Sequence, residues 1–176
     1  NIKKIKLSST KPADFYIKKE IDKRNAEELK EANRNGNKSK LKIGSKNPVF
    51  IGYNYPIRLI SEIVDSPRLS GREILKIAEY YKKSGTDIID IGMISNEDNS
   101  EKIPHIIKIL HGLNVPLSID SSNENEILTA ANSGIDLVLS IDETNYKIVD
   151  SMNVPVVVIP KDKSGTIPKK AEGRVK

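Results

Sequence analysis

Asp87-Ile88-Ile89-Asp90-Ile91-Gly92 and its echo Pro116-Leu117-Ser118-Ile119-Asp120 constrain this chain more than any other stretch. Each is a short apolar run that ends on a carboxylate or runs one residue past it. A helix-like segment precedes each run and a polar loop follows it. Repeated apolar strands with acids at their carboxyl ends are the pattern of parallel β/α units, whose strands are covered on both faces. In a closed parallel barrel those strand ends share one rim, where active sites are built. Asp65, Asp90, Asp120 and Asp142 lie 25, 30 and 22 residues apart, close to one β/α unit each. They are expected to converge on a single opening.

The units around these runs can be placed in order. Ile57 to Asp65 reads as the first barrel strand, with Asn47 to Gly52 as a lead-in strand. Ser70 and Glu73 have the spacing of a capping box, in which hydroxyl and carboxylate each satisfy a helix-end amide. Ile74, Ile77, Ala78 and Tyr81 then fall on one helical face, and Gly85 can close the helix in a left-handed conformation. Strand two is Asp87 to Gly92. Ser100 is a candidate cap for a second helix, which carries Pro104 in its first turn, where a missing amide costs little. Strand three is Val115 to Asp120. Asn123 and Glu126 repeat the capping spacing before a third helix that ends at Gly134. Strand four is Ile135 to Asp142, a short helix holds Ile148, Val149 and Met152, and strand five is Val154 to Ile159. The fold class is therefore α/β, a TIM (β/α)8-type barrel. Such a barrel takes about 250 residues, so 176 residues hold roughly its first five strands. An open doubly wound sheet is the structural alternative, but no G-x-G-x-x-G follows any strand, which argues against a dinucleotide site.

Charge divides the chain. The formal net charge is +5, yet residues 1–46 hold 14 Lys/Arg against 6 Asp/Glu, whereas residues 47–176 hold 15 against 18. The basic character belongs to the leading segment, read as a connector from a preceding domain, with a charged helix from Ala13 to Ala32 and a breaker cluster from Asn33 to Asn37. The acidic balance of 47–176, the N-terminal part of the barrel, argues against a nucleic-acid groove. No Cys is present, which excludes thiolate metal sites and disulfides and fits a reducing, cytoplasmic setting. No apolar run approaches the roughly 20 residues of a membrane helix.

Taken in order, Arg58-Leu59-Ile60-Ser61-Glu62-Ile63-Val64-Asp65-Ser66, Ser84-Gly85-Thr86-Asp87-Ile88-Ile89-Asp90-Ile91-Gly92, Val115-Pro116-Leu117-Ser118-Ile119-Asp120-Ser121 and Ser133-Gly134-Ile135-Asp136-Leu137-Val138-Leu139-Ser140-Ile141 resemble the pterin-binding domain of dihydropteroate synthases. They also resemble the related methyltetrahydrofolate-binding methyltransferases. The wording is most similar to archaeal dihydropteroate synthase-like proteins, and the match covers about residues 57–160. The resemblance implies a reduced pterin held at the C-terminal rim of the barrel, with Asp120 on the ring. A carboxylate suits that place because its two oxygens can accept the ring N–H and the adjacent amino group together. Asp90 and, from strand four, Leu139 or Ser140 would line the same rim. Asp65, Ser66 and Ser61 would serve the phosphate side. Asp65 and Asp142 are candidates for Mg²⁺, which prefers oxygen ligands and would neutralise a diphosphate leaving group. The implied role is a transferase of pterin, folate-type or methanopterin one-carbon metabolism. The alternative is a pterin-binding module of a methyl-pterin-dependent methyltransferase or carrier. Expected partners are a small-molecule pterin and a second copy in a homodimer, with no nucleic acid and no membrane. The loop Gly92 to Asn99 lacks the Arg and Pro that help synthases hold aminobenzoate, and Ser61 stands where they carry Asn.

Overall fold

The computed structural model describes residues 41–52 and 55–160. The expected helix at 13–32 and the breaker at 33–37 lie outside them. The described part opens with a hairpin, β1 (Leu41–Ile43) paired antiparallel with β2 (Val49–Ile51), which straddles the expected boundary at residue 46. Five parallel strands follow: β3 (Ile60–Ile63), β4 (Ile88–Gly92), β5 (Leu117–Asp120), β6 (Leu137–Ile141) and β7 (Val156–Val158). Their spatial order equals their chain order, β3-β4-β5-β6-β7. Sequential neighbours in one direction are what successive β/α units produce. The sheet is part of a (β/α)8 barrel.

Three α-helices connect the strands: α1 (Gly71–Ser84), α2 (Ile103–His111) and α3 (Glu124–Ser133). The capping box of α1 forms in full. Ser70 Oγ accepts from the Glu73 amide, and the Glu73 carboxylate accepts from the Ser70 amide at 2.8 Å. Gly85 closes α1 at φ 95° and Gly134 closes α3 at φ 93°. Ser100 does not cap α2; a 3-10 turn, Ser100–Lys102, intervenes, and the Ser100 amide instead donates to Asp98 Oδ1 at 3.0 Å. The expected helix between β6 and β7 is a 3-10 helix, Tyr146–Ser151. Each strand is shorter than its apolar run, because the flanking residues are spent on turns.

The strands have two covered faces. Ile63, Ile89, Ile91, Leu117, Ile119 and Val138 pack outward against Ile74, Ala78, Ile106, Ile107, Leu110 and Ile127 of the helices. Each such fully buried side chain contributes about 1.5–3 kcal/mol. On the inner face, Ile88 and Leu137 pack against Ile43 and Val49 of the hairpin. The hairpin thus closes the amino-terminal end of the inner face. Polar residues occupy the other end of that face, where register sets Glu62 beside Asp90, Asp90 beside Ser118, and Gly92 beside Asp120.

Candidate functional site

Alternation along the strands decides which side chains look inward. Ile88 is inward, so Asp90 and Gly92 are inward too. Through the register, Glu62 on β3 and Ser118 and Asp120 on β5 join them. Glu62, Asp90 and Asp120 each present a carboxylate oxygen, all within 4.8 Å of one another. Gly92 is what leaves room for the first: a Cβ there would stand 2.2 Å from Glu62 Oε1. Asp90 is 3% exposed, and Ser118 Oγ donates to its Oδ1 at 2.6 Å. Burial pushes the Asp90 carboxyl up to about 6; the Ser118 hydroxyl opposes that, and the charges of Asp120 and Glu62 add to it. Ser140 Oγ donates to Asp120 Oδ1.

Above this floor lies a cleft of about 750 Å³, walled by the loops that follow β3 to β6. Among the described residues its lining holds Glu62, Asp65, Glu97, Asp98, Asp120, Glu124, Glu126 and Asp142, and no Lys or Arg. Acceptors at close quarters favour a ligand rich in N–H groups.

A family model described as Pterin binding enzyme matches residues 61–176. The chain belongs to the pterin-binding enzyme family. An uncharacterized protein of Methanocaldococcus jannaschii is 36% identical over 183 residues, taking in 100% of this chain and 34% of that one. Among solved structures, a Xanthomonas albilineans dihydropteroate synthase with 4-aminobenzoic acid shares 17% identity at a TM-score of 0.58, covering 72% of this chain and 52% of that one. A Burkholderia cenocepacia dihydropteroate synthase complexed with 7,8-dihydropteroate shares 21% identity at a TM-score of 0.53, covering 67% and 45%. These two likenesses establish the barrel fold. The chain spans about a third of the archaeal relative and about half of the synthases.

Within this family member the sequence-derived candidates separate into groups. Asp120, Ser140, Asp65 and Asp142 all line the cleft, and Asp90 lies against its floor through Asp120 and Glu62. Ser61 and Ser66 do not line it. Ser61 pairs in register with Ile89, which packs on the helix side, and the buried Ser66 hydroxyl donates to the Ile63 carbonyl at 2.6 Å. Asp65 and Asp142 are not strand ends, since β3 stops at Ile63 and β6 at Ile141. Asp65 sits in a left-handed turn at φ 50° and pairs with Arg68 at 3.1 Å. Asp142 Oδ1 accepts from the amide and hydroxyl of Thr144 at 2.7 and 2.6 Å. Neither belongs to a three-carboxylate group among the described residues. Among the described residues the group with metal-ligand spacing is Glu62, Asp90 and Asp120. Its hard oxygen donors are of the kind that Mg²⁺ takes.

Two contributors escape a reading by strand ends. Glu62 precedes the acid that the spacing selects, and its clue is parity with Ile60 within β3. Glu126, 1% exposed, has the capping-box spacing but not the capping-box role. Asn123 Oδ1 accepts from the Asn125 and Glu126 amides, while the Glu126 carboxylate accepts from the Asn99 amide at 2.8 Å and from the Ser121 hydroxyl. It fastens the loop after β4 to the loop after β5. His111 stands at the opposite end of the sheet, 3.2 Å from the Gly134 carbonyl. No helix among the described residues is long and apolar enough to cross a membrane.

Proposed function

We propose that this chain supplies the pterin-holding part of a dihydropteroate synthase-like transferase of pterin, folate-type or methanopterin metabolism. The observation that carries the reading is the floor of Glu62, Asp90 and Asp120 beneath a cleft whose described lining is rich in carboxylates. A reduced pterin presents a ring N–H and an amino group side by side as donors. Asp120 accepts both, with Asp90 behind it in the dry interior, where a paired carboxylate discriminates against rings that lack the donors. Ser140 stands beside that contact and Asp65 and Asp142 at the rim, toward the phosphate side. In the synthase reaction an amine nitrogen bonds to the pterin methylene carbon, the carbon–oxygen bond to diphosphate breaks, and the amine gives up a proton. The diphosphate needs positive charge that the described lining does not hold; Mg²⁺ at the rim carboxylates Asp65 and Asp142 would provide it.

The absence of Lys and Arg from the described lining favours a second reading, a module that binds a methylated pterin for a methyltransferase or carries it to one. Such a ligand needs the donor-accepting floor and no diphosphate site.

Titration calorimetry on the full-length protein separates the readings. Binding of a reduced pterin that falls at least ten-fold in Asp120→Ala supports both. Tighter binding of the hydroxymethyl diphosphate form when Mg²⁺ is present favours the transferase. Binding of the methylated form with no diphosphate or Mg²⁺ effect favours the carrier. A wild-type protein that binds none of them refutes both.

A further inference from the structure

β6 contains one residue more than its partner can match. Val138 pairs with Val156 and Ile141 with Val158, so three steps along β6 oppose two along β7. Such an extra residue is a β-bulge, a device that re-aims a side chain. The packing identifies which residue it re-aims. Val138 lies in the helix-side core, Leu139 packs with the inner cluster, and Ile141 is back in the helix-side core. Strict alternation would have sent Ser140 outward and Ile141 inward. Instead Ser140 lines the cleft and bonds Asp120.

The backbone there is held in a conformation that L-residues rarely adopt: Ser140 has φ 65°. Left-handed non-glycine residues persist where the surroundings over-determine them, and they cluster at functional sites. Here the surroundings are named. The buried Asn145 donates from Nδ2 to the Ser140 carbonyl at 3.2 Å and accepts from the Asp142 amide at 2.9 Å. The Ile159 amide holds the next carbonyl, that of Ile141, at 2.7 Å.

We infer that Ser140, set inward by this braced bulge, is a positioning residue that fixes the rotation of the Asp120 carboxylate and thereby the discrimination for the 2-amino edge of the ligand. The inference rests on the pterin reading for the ligand's identity, and on the bulge for the mechanism. With one oxygen tied to the Ser140 hydroxyl, the carboxylate plane is set, and two adjacent donors can be met together. Freed from it, the carboxylate turns and takes one donor at a time.

The test uses the full-length protein with Ser140→Ala, which keeps the backbone constraint, and Ser140→Gly, which relieves it. Affinity is measured for a reduced pterin and for its analogue lacking the 2-amino group. In both variants the pterin affinity falls about ten-fold, the size of a lost hydrogen bond to a charged group, while the analogue's affinity holds, so the preference collapses. A merely structural role would leave that preference unchanged in both variants, and this result overturns the inference. A second readout needs no ligand: crystal structures show one Asp120 rotamer in the wild type and more than one in Ser140→Gly. An unchanged single rotamer overturns the positioning role by itself. Failure of the wild type to bind any pterin sinks the functional reading instead, and the rotamer result still decides the role of Ser140.

Discussion

Asp90 is the residue whose chemistry departs furthest from that of a free side chain. Its carboxyl titrates near 6 rather than 3.8 because burial disfavours the charged form, and the carboxylates of Asp120 and Glu62 reinforce the effect. The folded protein therefore keeps a proton that the unfolded chain has already released between about pH 4 and pH 6. Raising the pH through that window lowers stability, and the full penalty persists above it. The sign gives an expected outcome for Asp90→Asn, which removes the charge and keeps the shape. Urea unfolding in chelator-treated buffer is expected to show little difference from wild type below pH 4. The variant then gains on the order of 2–3 kcal/mol by pH 7. A constant difference at every pH would show that Asp90 does not ionise against a resisting interior. The acids Asp90 and Asp120 were legible in sequence because each closes an apolar run. Ser140 was legible only as an ambiguity with Leu139. Alternation assigns one of two neighbours to the inner face, and a bulge puts both there.

At the scale of elements, loops after strands are set against one another by buried polar bonds rather than by apolar packing. Glu126 of α3 is the main fastener, holding the Asn99 amide ahead of α2 and the Ser121 hydroxyl after β5. Lys102 adds to it by donating to the Pro67 carbonyl at 3.2 Å and to Asn99 Oδ1 at 3.1 Å. Truncating Glu126 to Ala leaves the buried Asn99 amide without its acceptor, and an orphaned donor costs more than a hydrogen bond contributes. The expected loss in chemical unfolding is about 2–3 kcal/mol. Glu126→Gln keeps the acceptor for Asn99 and lets the Ser121 hydroxyl turn round, so it is expected to cost less than about 1 kcal/mol. Equal losses in the two variants would mean that the carboxylate's charge matters and its geometry does not. The helices themselves were readable from local signals: the Ser70–Glu73 box, the periodic face of α1, and the closing Gly85 and Gly134. The capping spacing of Asn123 and Glu126 misled for a physical reason. A carboxylate at the third helical position has two possible partners, and here a neighbouring loop offered a drier one. Asp65 and Asp142 reach the cleft from the turns after β3 and β6 rather than from strand ends, since residue spacing counts turn residues together with strand residues.

The whole molecule was legible as five parallel β/α units because their punctuation repeats, while the hairpin under the sheet was half seen, β2 from its apolar run and β1 not at all. Leu41–Ile43 sits in a Lys-rich stretch whose charge hides a three-residue strand. The sheet it supports runs β3 to β7 without closing, and among the described residues no strand pairs with the outer side of either end. Both ends carry apolar side chains in the open: Ile60 on β3 is 44% exposed and Val158 on β7 is 68% exposed. Unpaired, apolar parallel edges invite pairing with another chain, and natural edge strands guard against it with charges, especially Lys. A polypeptide of these 176 residues is thus expected to self-associate, with a weight-average mass in sedimentation that climbs with concentration. Lysine at both edges, Ile60→Lys with Val158→Lys, is expected to return it to monomer, because each charge would have to be desolvated in a paired edge. The two substitutions lie away from the helix-side core, so the circular dichroism and the melting transition are expected to stay near those of the unsubstituted chain. A polypeptide that sediments as a monomer at every concentration would show that the edges are already covered. Association that survives both lysines would place the contact on another surface.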